Sequence, residues 1–72
     1  MRFPSREEVK RVRERFPKGT RVRLNCMDDI SAPAPGTEGT VQLVDDIGTI
    51  HVKWDNGSCL GVALGVDSCT KI

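Results

Sequence analysis

Ile50-His51-Val52-Lys53-Trp54-Asp55-Asn56-Gly57-Ser58-Cys59-Leu60-Gly61-Val62 decides the fold. Apolar and polar residues alternate up to Trp54, the period of a strand with one buried face. Asn56 and Gly57 then supply residues that tolerate the positive φ a hairpin turn demands. Two registers compete. A two-residue loop pairs Trp54 with Cys59 and turns Leu60 and Val62 to the wrong face. A three-residue loop with Gly57 as the bulge residue pairs Val52 with Leu60 and Ile50 with Val62, so that all four share one core. The second register is the expected one, and it turns Cys59 outward beside Lys53.

Upstream, Asp45-Asp46-Ile47-Gly48 reads as a tight turn into a strand over about Gly39 to Val44. In Arg21-Val22-Arg23-Leu24, Val22 and Leu24 face inward and the arginines outward. Residues 25–36, with Pro33 and Pro35, form the one long loop, and such loops are functional or mobile. Before the strands, Ser5-Arg6-Glu7-Glu8 fits a capping box. Val9, Val12 and Phe16 follow at helical spacing, and Pro17-Lys18-Gly19 ends the run. Glu7 with Arg11 and Lys10 with Glu14 are placed to pair along the helix. Downstream, Gly65-Val66-Asp67 allows one helical turn before a last strand over about Ser68 to Ile72.

The expected fold is therefore mainly β. A five-stranded small barrel over 20–72, similar to the SH3-like barrels in strand number and in which connection is long, is capped by a helix over 5–16, all in one domain spanning 1–72. At a finer level, Arg23-Leu24-Asn25-Cys26-Met27-Asp28-Asp29, Pro35-Gly36-Thr37-Glu38-Gly39-Thr40-Val41, His51 to Ser58 and Gly65-Val66-Asp67-Ser68 resemble the bacterial and phage family catalogued as domain of unknown function 4314. The resemblance covers nearly the whole chain. It implies the same architecture and a bacterial or phage context, and it carries over no functional residue.

The 72 residues carry 38% apolar residues and seven glycines, which excludes collagen, coiled coil, a disordered tail and a membrane span. One core of this size rarely supplies more than about 3–5 kcal/mol, leaving no room for an elaborate buried active site. Cys26, Cys59 and Cys69 are odd in number and widely spaced, which suits neither a disulfide framework nor a paired metal clip. The first residues contain no apolar signal segment, so the expected location is the cytoplasm, with the thiols free. Net charge is +1, but residues 1–25 carry +6 and residues 26–72 carry −5. The halves either neutralise each other or form separate poles.

Catalysis is not expected. His51 and Cys59 could share an outer face, but a nucleophilic pair also needs an orienting third group, and the simpler reading of His51 is a solvated side chain. A zinc site from Cys26, His51, Cys59 and Cys69 lacks closely spaced ligand pairs, and no metal or other cofactor is expected. With no tyrosine, and with Phe3, Phe16 and Trp54 claimed by packing, polyproline reading and base stacking are disfavoured. The leading expectation is a non-catalytic module that binds a protein partner in an acidic groove. Loop 25–37 would form one rim (Met27, Asp28, Asp29, Ile30) and turn 45–48 the other (Asp45, Asp46), suiting a basic or amphipathic peptide. The plainer reading is that these aspartates stabilise turns. The alternative function is accessory nucleic-acid binding through phosphate contacts from Arg6, Lys10, Arg13, Lys18, Arg21 and Arg23. No contact with a membrane is expected.

Overall fold

A computed structural model describes residues 4–72; the charge of Arg2 and the packing expected of Phe3 lie outside the described residues. The helix α1 spans Arg6–Arg15. Both halves of its capping box form: Ser5 Oγ accepts from the Glu8 N–H at 3.2 Å, and Glu8 Oε1 accepts from the Ser5 N–H at 3.4 Å. The apolar stripe docks as expected, with Val9 and Phe16 buried and Val12 packed against the core. The helix is capped at Phe16, and the turn that follows closes with the Thr20 N–H donating to the Pro17 carbonyl at 3.0 Å, with Gly19 at φ +93° as its third residue. The expected pairs Glu7–Arg11 and Lys10–Glu14 are absent from the ion pairs among the described residues.

Five strands follow: β1 (Arg21–Cys26), β2 (Glu38–Val44), β3 (Ile50–Trp54), β4 (Gly61–Val62) and β5 (Ser68–Lys71). All pairings are antiparallel, in the order β4-β3-β2-β1-β5. The hairpin register is the three-residue one. Ile50 opposes Val62, the Trp54 N–H donates to the Ser58 carbonyl at 2.8 Å, and Gly57 sits at φ +96°. Val22, Leu24, Val41, Ile50, Val52, Trp54 and Val62 face inward and meet Phe16 in one buried cluster. Trp54 is 1% exposed, and its indole N–H donates to the Leu60 carbonyl at 3.0 Å, which settles the one polar atom of the largest core side chain.

Two irregularities re-aim side chains. Gln42 is an extra residue between the pairs Val41–Val52 and Leu43–His51, so Leu43 faces outward and Val44 inward. Asn25 interrupts the β1–β5 ladder, and its side-chain amide donates to Ser68 Oγ and Thr70 Oγ1 at 3.0 and 2.8 Å.

The expected closure into a barrel does not occur through strand pairing. β4 is only two residues long, and it stands with β5 at opposite edges of the sheet. Phe16, at the end of the helix, lies instead between the two edges, lining one cleft with Val62 of β4 and Cys69 of β5.

Candidate functional site

The charged halves of the chain cancel against each other over much of the sheet. Arg21 projects from β1 and meets Asp55, just past β3, through two hydrogen bonds of 2.9 and 2.6 Å. It also donates to Thr40 Oγ1 at 2.9 Å and lies 3.5 Å from Glu38, which is 3.6 Å from Arg23. Hydrogen bonding to Arg21 holds the Asp55 carboxyl below its ordinary value, against a smaller upward push from desolvation. On the helix, Arg13 donates to Asp46 at 2.8 Å and to the Val44 carbonyl at 3.2 Å, tying α1 to the end of β2. Of the six basic residues expected to contact phosphate, Arg13, Arg21 and Arg23 thus have carboxylate partners. Arg6, Lys10 and Lys18 have none among the described residues, and Arg6 lines one depression with Arg13, Val9 and Asp46.

The acidic residues divide in the same manner. Asp45 serves its own turn: Oδ1 accepts from the N–H groups of Ile47 (3.1 Å) and Thr49 (2.9 Å), and Oδ2 lies 2.9 Å from His51 Nε2. Desolvation raises the Asp45 carboxyl, but these hydrogen bonds together bring it below its ordinary value. Asp29 makes an Asx turn, accepting from the Ser31 N–H at 2.7 Å. Among the described residues, the Asp28 carboxylate has no ion-pair partner; its backbone N–H donates to Asp67 Oδ1 at 2.8 Å.

Asp67 is the residue that reading the sequence missed as a structural node. Its other oxygen accepts from the Ala63 N–H at 2.9 Å, so one carboxylate closes turn 63–67 and anchors the start of loop 25–37. A lone aspartate in a Gly-Val-Asp-Ser turn gives no sign of a partner 39 residues away.

Met27 and Ile30 separate. Met27 packs against the core, whereas Ile30 is fully exposed. The loop lies at the start of β2 and turn 45–48 at its far end. The described hydrogen bonds bring the loop to Asp67, and none joins it to turn 45–48.

His51 opposes Gly61, and its ring is hydrogen-bonded to Asp45, with no hydrogen bond to Cys59. Cys26 and Cys59 are exposed and Cys69 half-buried, all three as free thiols. Burial pushes the Cys69 thiol up, against the pull of nearby Arg15. Among the described residues no group of three His, Cys, Asp or Glu side chains converges as a metal site would require, and no helix is long and apolar enough to cross a membrane. A family model described as a domain of unknown function (DUF4314) matches residues 5–72. No curated protein and no solved structure matches the chain.

Proposed function

Because the chain belongs to this family of domains of unknown function, we propose its role from its own residues: a non-catalytic interaction module that binds a protein partner through the acidic, apolar-tipped loop 25–37. The observation that carries the reading is Ile30, fully exposed at the tip of a loop pinned on both sides. Asp28 is tied to Asp67, Asp29 turns the backbone at Ser31, and Pro33 is buried. A single exposed apolar side chain is ordinary. One presented by a fixed loop, beside the unpaired carboxylate of Asp28, suits an apolar pocket with a basic rim.

Turn 45–48 is the weaker rim of the expected groove, because Asp45 is occupied within the turn and Asp46, though exposed, is paired with Arg13; Ile47 is exposed beside it. The strand order, with its long connection after β1, supports reading the fold as an open relative of the SH3-like barrels. Free thiols, two of them exposed, fit a reducing cytoplasm.

Asp28→Lys combined with Ile30→Ser tests the reading, since neither side chain makes a hydrogen bond that holds the loop. The doubly substituted protein keeps its melting transition and loses the partner that the parent protein captures. Capture at parental strength removes the loop from the account. Salt-sensitive binding of arbitrary duplex DNA in its place supports the basic helix as the working surface.

A further inference from the structure

The two sides of β1 divide its backbone groups by parity. Towards β2, the Leu24 N–H donates to the Thr37 carbonyl and the Val41 N–H to the Thr20 carbonyl, so even-numbered residues bond on that side. Towards β5, the Ile72 N–H donates to the Arg21 carbonyl at 3.0 Å, and Arg23 opposes Thr70. Hydrogen-bonded and non-bonded pairs alternate along an antiparallel ladder. Thr70 and Ile72 therefore spend their backbone groups on β1, whereas Cys69 and Lys71 direct theirs away from the sheet. Among the described residues nothing bonds them.

The opposite edge is different. At β4 the Leu60 carbonyl accepts the Trp54 indole, the Ala63 N–H is taken by Asp67, and only two residues are extended. β5 is thus the edge with two successive outward-facing positions, Cys69 and Lys71, on either side of Thr70. Beside this edge a cleft of about 170 Å³ runs between Phe16, Val62, Leu64 and Cys69, with Arg15 at its rim and Asp67, whose two oxygens are taken by the N–H groups of Asp28 and Ala63, also in its lining. That volume is close to one that holds a benzene-sized group. Arg15 rests 5.4 Å over the Phe16 ring and has no carboxylate partner among the described residues, nor has Lys71.

We propose that the free edge of β5 docks an extended acidic segment of a partner protein as a sixth strand. The segment bonds the outward backbone groups of Cys69 and Lys71. It places one apolar side chain in the cleft beside Phe16 and sets carboxylates against Arg15 and Lys71. Main-chain bonding of this kind supplies affinity, while the pocket and the two cations set the sequence preference. Bare edges invite unspecific pairing, and a lysine on the edge is a common defence against it. Here the same lysine selects for acidic strands. This surface is separate from the tip of loop 25–37.

The probe is a nine-residue peptide with threonine at every even position and, on the opposite face, aspartates on either side of a central valine, compared with a counterpart whose aspartates are lysines, with amide exchange and chemical shifts followed by NMR. In the protein alone, the Cys69 and Lys71 amides exchange fast and those of Thr70 and Ile72 slowly. Adding the aspartate peptide slows Cys69 and Lys71 at least tenfold, with shift changes centred on β5, Arg15 and Phe16, and the lysine peptide has no effect. Lys71→Pro removes the outward N–H without touching the β1 ladder and abolishes binding, whereas Lys71→Ala and Arg15→Ala each weaken it severalfold. Slow exchange at Cys69 and Lys71 in the protein alone, unchanged exchange at millimolar peptide, equal response to both peptides, or undiminished binding by Lys71→Pro overturns the proposal. Protection that appears on concentrating the protein without peptide assigns the edge to a second copy and also overturns it.

Discussion

Arg21 and Asp55 face each other through a paired contact, two hydrogen bonds between one guanidinium and one carboxylate, across a strand that carries neither residue. Nine lysines and arginines in the first 25 residues left open whether the charged halves neutralise each other or form separate poles; β1 delivers two of the nine to carboxylates of the acidic half. Planar, two-point pairing of this kind is specific in geometry, which is why it fixes these partners.

The pair has a pH signature. The Asp55 carboxyl is held below its ordinary value when folded, so its contribution to stability is present above the unfolded value of about 3.9 and is lost as pH falls through the folded one. Asp45 has the same sign. Acid melts of the parent protein therefore fall more steeply below about pH 4 than those of Arg21→Ala, and the two profiles converge at the acid end. Parallel profiles would mean that the pair contributes nothing.

Trp54→Ala is expected to cost about 3–5 kcal/mol, enough to unfold a domain of this size. Trp54→Phe keeps most of the packing and strands the Leu60 carbonyl, a loss of about 1–3 kcal/mol. Thermal melts of the two variants give the order directly.

Gly39 admits no side chain. A Cβ there would lie 2.6 Å from Val52 Cγ1, 2.8 Å from the Trp54 ring and 2.9 Å from the Lys53 carbonyl oxygen. Gly39→Ala is expected to lose about 1–3 kcal/mol or more by overpacking, measured by denaturant unfolding.

Asp67→Ala leaves the N–H groups of Asp28 and Ala63 without their acceptor, a loss of about 1–3 kcal/mol. Amide exchange speeds up first at these two residues, while Val22 and Val41 in the core stay protected until global unfolding.

Local pattern carried most of the fold and little of the site. Alternation at Ile50, Val52 and Trp54, with Gly57 placed for a bulge, allowed one register that buries Leu60 and Val62 together, and that register forms. Asp45 and Asp29 act as the turn residues their positions suggested. What could not be read depends on distance in the chain: the link from Asp67 to Asp28, the pairing of Arg13 with Asp46, and the separation of the two acidic rims by β2. Closure of a barrel needed β4 to run longer, but the Trp54 indole occupies the Leu60 carbonyl and extended structure begins only at Gly61.

The central claim is that the pinned loop, and not the basic helix, meets the partner. A photo-crosslinking residue placed at Ile30, and separately at Lys10, tests it in cells. The account predicts a discrete protein adduct from position 30, lost when Asp28→Lys is added, and no nucleic-acid adduct from position 10. Nucleic acid captured at position 10, with nothing captured at position 30, contradicts it.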